Sequence, residues 1–181
     1  MKKLLIIILC LVFAFSGCGA MKKAEPFYSE TGENVEFKTE YKYYFSDETS
    51  ILCLWTNLGD ENIFFHDTFQ LHQLGDDGEW YVVGDPEKAE FNTDYSHFVE
   101  PGEENTGNAR YDITRFSAKL ENGKTYRLST YYFDNNGNYY QIYSEFICSD
   151  KLAEKEMLEI SGGASDGRNS YYEDGVFEVY G

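Results

Sequence analysis

A cysteine near the N-terminus stands in surroundings that give its thiol a defined chemical role. Cys18 follows two small residues, Ser16 and Gly17, and these follow twelve uninterrupted apolar residues, Leu4 to Phe15. Two lysines precede the apolar run, so a positive start, an apolar stretch and small residues come in the order of an export signal. The sequence therefore predicts that residues 1–17 are a signal peptide and that the protein works outside the cytoplasm.

The position of this cysteine resembles the lipobox of bacterial lipoproteins, in which the thiol is the attachment site for diacylglycerol. The resemblance, to lipoproteins of the Firmicute type, implies that Cys18 carries at least two acyl chains, palmitate among them. Stable anchoring takes roughly two such chains, so we expect the protein on the extracytoplasmic face of the cell membrane. Phe15 stands where such signals usually carry leucine.

Two other interpretations of this segment are a transmembrane helix and an ordinary secretion signal. A helix needs about 20 apolar residues to cross the hydrocarbon core, and this run has twelve. Secretion without lipid gives no reason for the position of Cys18. We therefore favour lipidation over both.

The charge of the mature chain excludes one class of partner and favours another. Removal of residues 1–17 leaves 13 basic and 32 acidic residues, a formal net charge of −19. Binding to DNA or RNA needs clustered basic side chains that neutralise phosphates, so we expect no nucleic-acid partner. A protein partner with a basic surface is the easiest match for this charge.

Composition divides the chain into four parts. Aromatic residues make up 18% of the sequence, which is enough for a core and too many for a disordered chain. After the signal peptide we expect a lipidated tether at 18–33, one domain at 34–149 and an acidic C-terminal tail at 150–181. Disorder and an added strand at Tyr171 to Tyr180 are the alternatives for this flexible tail, and Lys151 to Ile160 has the spacing of a short helix.

Short stretches of alternating apolar and polar residues recur along the domain, separated by turn residues. Such alternation is typical of half-buried β-strands, and the intervening Gly- and Asn-containing segments are typical of hairpins. About seven antiparallel strands without a convincing helix between them predict an all-β sandwich. The predicted strands cover 35–43, 51–57, 63–74, 80–83, 110–116, 125–133 and 139–148.

A series of motifs follows the order of these strands. They are Ile51-x-Cys53-x-Trp55-x-Asn57, Phe69-x-Leu71, Gly78 to Val83, Pro101-Gly102-Glu103, Leu120 to Leu128, and Ser144 to Ile147. Together they resemble the bacterial immunoglobulin-like domain that is common in Firmicute lipoproteins. The resemblance spans about residues 35–148 and implies an immunoglobulin-like sandwich. It implies no particular activity, because function lives in sites that differ among proteins of one fold.

Three aromatic residues receive roles from their positions in this sandwich. Tyr126 falls near the start of the penultimate strand, where a tyrosine corner folds a hydroxyl back onto upstream backbone, so we expect a structural residue. Trp55 lies in the apolar stripe of its strand and is expected in the core. Trp80 begins a hairpin strand, is expected to be partly exposed, and is the candidate for stacking against a glycan.

Cys53 and Cys148 are the two cysteines that remain after signal cleavage and lipidation. Export permits a disulfide between them. The other interpretation is two buried free thiols that act as small apolar residues. Both stay open, since pairing cannot be deduced from sequence alone.

Motifs for catalysis and metal binding are absent from the sequence. It contains no HExxH, no zinc-finger spacing, no Gly-x-Ser-x-Gly and no nucleotide-binding fingerprint. We therefore expect no catalytic residue, no metal site and no cofactor. The histidines, His66, His72 and His97, are expected at the surface.

The sequence as a whole predicts a non-catalytic lipoprotein whose immunoglobulin-like domain is a protein-binding or structural module. The alternative is a lipoprotein that binds a solute or glycan through exposed aromatic rings, Trp80 first among them. Ring exposure separates the two, because a glycan binder needs planar ring faces in solvent. The alternating positions of most aromatics favour the core and hence the protein-binding hypothesis.

Overall fold

Two β-sheets face each other across an aromatic core. The computed structural model of the protein describes residues 22–25, 34–84, 96–117 and 119–163. Within these ranges there are nine strands: β1 (Val35–Thr39), β2 (Tyr43–Tyr44), β3 (Ser50–Asn57), β4 (Ile63–Leu74), β5 (Trp80–Val82), β6 (His97–Val99), β7 (Gly102–Asp112), β8 (Thr125–Phe133) and β9 (Tyr139–Cys148). A 3-10 turn, Ile113–Phe116, follows β7, and helix α1, Asp150–Gly163, follows β9.

The smaller sheet has the strand order β1-β3-β7, and the larger has β2-β9-β8-β4-β5 with β6 also paired to β4. All pairs are antiparallel except β2 with β9, which is parallel. The predicted all-β, immunoglobulin-like sandwich is confirmed. The short strands β2 and β6 were not predicted as separate strands.

The core follows from the two-residue period of the strands. In β3 the buried positions are Ile51, Cys53, Trp55 and Asn57, and the residues between them are partly exposed. Trp55 is fully buried; its ring stacks on Phe65 of the opposite sheet, with centroids 4.6 Å apart. The apolar stripe thus places Trp55 where the two sheets meet.

One predicted strand, 110–116, is wrong in its second half. The strand ends at Asp112, whose carboxylate accepts a hydrogen bond from the Thr114 backbone N–H at 3.0 Å. This contact caps the 3-10 turn, since a side chain that binds its own nearby backbone competes with sheet pairing. The strand extends instead toward the N-terminus, to Gly102.

The disulfide between Cys53 and Cys148 is not formed, and both cysteines are buried free thiols. Cys53 lies in the middle of β3, opposite Thr39 and Ala109. Cys148 ends β9 in the other sheet, opposite Tyr44. Burial raises the pKa of both thiols, that of Cys148 to about 11. They therefore pack as small apolar residues.

The predicted C-terminal tail begins too early. Its first fourteen residues form α1, which includes the predicted short helix. Ala153 is buried against the domain, the Asp150 carboxylate accepts from the Ser46 backbone N–H at 2.7 Å, and Glu156 accepts from the Tyr43 N–H at 3.0 Å. Residues 150–163 therefore belong to the domain; the rest of the tail, with Tyr171 to Tyr180, lies outside the described residues.

Tyr126 has the geometry expected of a tyrosine corner. Its hydroxyl accepts a hydrogen bond from the Glu121 backbone N–H at 2.6 Å and donates to the Gln73 side-chain oxygen at 3.1 Å. Gly123, with φ of 88°, makes the intervening turn in a conformation that glycine adopts without steric cost. Burial raises the pKa of the hydroxyl to about 12.

Tyr126→Phe removes the hydroxyl and leaves the Glu121 N–H and the Gln73 oxygen without it. Loss of a partner from a buried polar group costs about 1–3 kcal/mol, and we expect a fall of that size in the free energy of unfolding. Urea unfolding followed by circular dichroism measures it. Tyr139→Phe is the control, because Tyr139 is 63% exposed; equal stability of the two variants would contradict the corner role.

Candidate functional site

The outer face of the larger sheet carries a row of aromatic side chains across four strands. Phe64 of β4 is directly opposite Phe98 of β6 on one side and Phe133 of β8 on the other. Phe133 is in turn opposite Tyr139 of β9. Phe98 is 58% exposed and Tyr139 63%. We call these four residues the aromatic row.

The rings of the aromatic row stand against one another. Phe64 and Phe133 are stacked with centroids 5.3 Å apart and an interplanar angle of 18°. Tyr139 lies 5.3 Å from Phe133 on a tilted plane, and His66 stacks on Phe133 at 5.3 Å. Phe64 and Phe133 therefore each cover one face of the other ring, and the most exposed residues of the row are its ends, Phe98 and Tyr139.

A β-bulge opens a cavity beside the row. The pairing of β4 with β8 is interrupted between Phe65 and Phe69, so that three residues of β4, 66–68, stand opposite Tyr131 alone. The Thr130 hydroxyl donates to the Thr68 carbonyl at 2.7 Å and holds the bulge. The cavity measures about 380 Å³ and is lined by His66, Thr68, Tyr131 and Tyr139. Bulges often re-aim side chains beside functional sites.

The other end of the same face is closed by an arginine between two rings. The Arg127 guanidinium carbon lies 4.0 Å from the Trp80 ring centroid and 4.2 Å from that of Tyr143. The guanidinium also pairs with the Glu145 carboxylate at 2.7 Å. Because Arg127 covers one face of its ring, Trp80 is a poorer stacking platform than the sequence analysis expected.

His72 lies beneath this arrangement, opposite Arg127 and Val82. It is only 3% exposed, so the expected surface position is wrong for this histidine, whereas His97 is exposed and pairs with Asp67 at 3.2 Å. Burial, and then the charge of Arg127, lower the pKa of His72 from its usual 6.5 to about 4. His72 is therefore neutral at physiological pH.

This shift predicts a loss of stability in mild acid. Below pH 6.5 the unfolded chain protonates His72 while the folded chain does not until about pH 4, so the contribution is complete above 6.5 and is lost as the pH falls toward 4. From the shift we expect about 3 kcal/mol over this window. Urea unfolding at a series of pH values gives the free energy of unfolding as a function of pH. Between pH 6.5 and about pH 4 this free energy should fall less for His72→Gln than for the wild type. A wild-type pH dependence in His72→Gln would contradict the assignment.

In the described part of the chain, no three His, Cys, Asp or Glu side chains are grouped so that they could hold a metal ion. None of the described helices is long and apolar enough to cross a membrane. Cys18 lies outside the described residues.

The aromatic row and Tyr131 were not predicted from the sequence. A signal was present in Tyr131-Tyr132-Phe133, because successive strand residues point to opposite faces. Three consecutive aromatics in a strand cannot all enter one core. In the structure Tyr132 is buried and Tyr131 is 41% exposed.

The two facing sheets, the tyrosine corner and the tryptophan core define an immunoglobulin-like β-sandwich. The family model described as the bacterial Ig-like domain matches residues 31–147. The chain therefore belongs to the family of bacterial immunoglobulin-like domains. None of the curated proteins matches the chain.

Solved structures with some likeness include the protein designated ApaA from Bordetella pertussis, at 12% identity and a TM-score of 0.36, covering 71% of this chain and 98% of that one. The archaellum periplasmic stator protein FlaG of Sulfolobus acidocaldarius has 16% identity and a TM-score of 0.32, covering 60% and 98%. The sporulation control protein Spo0M of Bacillus subtilis has 14% identity and a TM-score of 0.32, covering 72% and 55%. Likenesses this low do not bear on function.

Proposed function

We propose that this protein is a non-catalytic binding module, anchored by lipid at Cys18 on the extracytoplasmic face of the cell membrane, which binds another protein through the aromatic row. The observation that carries the proposal is the exposure of aromatic side chains on one sheet face, with Tyr139 and Phe98 more than half exposed. Aromatic residues are enriched at protein interfaces, and a few of them carry most of the binding energy.

The cavity beside the row supports a protein partner. It is open to solvent and has a volume of about 380 Å³ between His66, Thr68, Tyr131 and Tyr139, which is enough room for one leucine or phenylalanine side chain of a partner. An apolar anchor that fills a pocket, surrounded by contacts that exclude water, is the usual arrangement of an interface hot spot.

Acidic side chains beside the row favour a partner with a basic rim. Asp67 lies in the bulge with its side chain 46% exposed, and Asp134 follows Phe133 directly. Glu61 precedes β4, and its carboxylate accepts a hydrogen bond at 3.3 Å from the side chain of Asn135, which follows Asp134 in the turn between β8 and β9. Charges around an interface steer encounter and select partners more than they add affinity.

Ring orientation argues against the glycan alternative. Sugar binding by stacking uses ring faces that lie open to solvent. In the row, Phe64 and Phe133 cover each other, and Trp80 is covered on one side by Arg127. Covered ring faces beside a cavity suit an inserted side chain better than a flat sugar.

Tyr139→Ala is expected to weaken partner binding by about 30-fold or more, the effect of removing an interface hot spot. A photo-crosslinking amino acid at Tyr131 in the anchored protein identifies the partner in cells, and titration with that purified partner gives the dissociation constant. Leu158→Ala is the matched control, because Leu158 is also a large exposed apolar residue, at 64% exposure, but lies on α1.

Two outcomes would overturn the proposal. One is partner affinity that Tyr139→Ala and Leu158→Ala change equally. The other is saturable sugar binding on a glycan array that Tyr139→Ala abolishes while no protein crosslinks at Tyr131.

A further inference from the structure

Four residues of the expected tether pair with the larger sheet through an isolated bridge, in addition to the nine strands given above. Lys23 is opposite Tyr81 of β5 in an antiparallel bridge. The Ala24 N–H donates to the Trp80 carbonyl, and the Val82 N–H donates to the Lys22 carbonyl, both at 2.8 Å. We call Lys22 to Glu25 the anchor strand. The assignment of 18–33 to a free tether is therefore wrong for these four residues.

The anchor strand leaves a short length of chain between the domain and Cys18. Only Gly19, Ala20 and Met21 separate Cys18 from Lys22. Four Cα-to-Cα steps span at most about 14 Å even when fully extended. A free segment of the whole predicted tether would reach on the order of 20 Å root-mean-square, and further in extended form. The point of attachment is thus held next to one edge of the sheet.

We infer that the sheet edge formed by the anchor strand and β5 is the surface that meets the lipid bilayer. The inference rests on the lipidation of Cys18 in the proposed function, and the occupant of the edge is the headgroup layer in which that lipid sits. A connection of about 14 Å cannot carry this edge far from the headgroups while the acyl chains stay in the membrane.

The chemistry of the edge is compatible with this position. Lys22 and Lys23 are exposed, and basic residues beside the membrane are favoured over anionic headgroups. Trp80 and Tyr81 adjoin them in β5, and aromatic residues of these two types are enriched at membrane–water interfaces. Lys23 also pairs with Glu79 at 3.0 Å, which offsets part of its positive charge. The distance between this edge and the bilayer is therefore set by the short connection to Cys18 more than by the charge of the lysines.

The arrangement has two consequences for binding. The anchor strand occupies the hydrogen-bonding edge of β5, where an unpaired strand would otherwise be open to other chains. From the anchor strand to β9 the sheet is four strand spacings wide, or about 19 Å at the usual spacing. Tyr139, on β9, therefore lies on the side of the domain away from the bilayer, where a partner can reach it.

Tryptophan quenching by headgroup-spin-labelled lipid tests the orientation in proteoliposomes of the full mature protein. Trp80 adjoins the anchor strand and is the native reporter. In Trp80→Phe/Tyr139→Trp the reporter moves to β9, and Trp80→Phe alone gives the contribution of the buried Trp55. After that subtraction, we expect quenching of Trp80 to exceed quenching at position 139 by at least threefold.

A 20-residue Gly-Ser insertion between Met21 and Lys22 is the matched control, because it lengthens the connection and leaves the anchor strand intact. We expect the difference between the reporters to disappear. Equal quenching of both reporters without the insertion, or an unchanged difference with it, would overturn the inference.

Failure of lipidation and failure of the orientation are distinguishable. Mass spectrometry of the mature N-terminus reports lipidation independently of quenching. If the native chain carries no lipid, a maleimide phospholipid coupled to Cys18 supplies the attachment, since Cys53 and Cys148 are buried. The same reporter comparison then confirms or overturns the role of the edge.

Discussion

Replacement of Trp55 by alanine is expected to lower the free energy of unfolding by about 3–5 kcal/mol, the usual cost of removing a large aromatic side chain from a core. Trp55 is fully buried. Its ring centroid lies 4.5 Å from that of Phe37 in the same sheet. The centroids of Phe65 and Tyr132 in the other sheet are 4.6 and 6.1 Å away. Since a domain of this size has about 5–15 kcal/mol of stability in all, the variant should be at least partly unfolded at 37 °C.

Urea unfolding by circular dichroism measures the change, and Trp80→Ala is the control. Trp80 loses the same number of atoms but lies at the surface over Arg127, so its replacement should cost about 1 kcal/mol or less. If the two variants were equally stable, Trp55 would not be the residue that joins the sheets. Trp55→Phe should recover most of the loss, because an aromatic ring can still stack on Phe65.

The parts of the fold that could be predicted are those encoded by local pattern. The strand around Trp55 has a strict two-residue alternation, and the structure buries every second residue from Ile51 to Asn57. The turn before Tyr126 is set within a few residues, by Gly123 at positive φ and by the hydroxyl that binds Glu121. Such features depend little on distant partners.

The candidate site could be predicted only in part, because its geometry depends on pairing between distant strands. The run Tyr131 to Phe133 indicates that some rings face outward. The row itself exists because Phe98, Phe64, Phe133 and Tyr139 fall into register across four strands. The bulge at 66–68 sets that register. Because it places three residues opposite one, it adds two residues and does not change the alternation of apolar and polar residues along β4, so the sequence pattern does not indicate it.

The anchor strand was missed for a related reason. Lys22 to Glu25 is short and largely polar, so it has no apolar alternation to indicate a strand. Its pairing comes from the free edge of β5, which offers carbonyl and N–H groups to any extended segment nearby. The contact between Arg127 and the Trp80 ring could not be predicted either. The two residues are 47 apart in the sequence, and they meet only because β8 pairs with β4 and β4 pairs with β5.

Among single substitutions, replacement of Cys18 is expected to have the largest effect, because it removes the proposed site of lipid attachment. Cys18→Ala should abolish acylation completely, because the proposed attachment site is the thiol at position 18 and alanine has none. Cells supplied with an alkyne analogue of palmitate should label the wild type and leave Cys18→Ala unlabelled. The mature wild-type chain should begin at residue 18, with its mass raised by at least two acyl chains, since one chain gives only marginal membrane binding.

Cys10→Ala is the matched control for this experiment. Cys10 lies inside the apolar run, and the proposed cleavage before Cys18 would remove it, so its replacement should leave labelling and processing unchanged. The readout is the acyl label itself, because an uncleaved apolar segment could hold Cys18→Ala at the membrane without any lipid. Acyl label on Cys18→Ala, or wild-type protein in the medium with an unmodified N-terminus, would contradict the lipoprotein assignment. The domain should fold equally well in all three proteins, since both cysteines precede residues 31–147, which the family model matches.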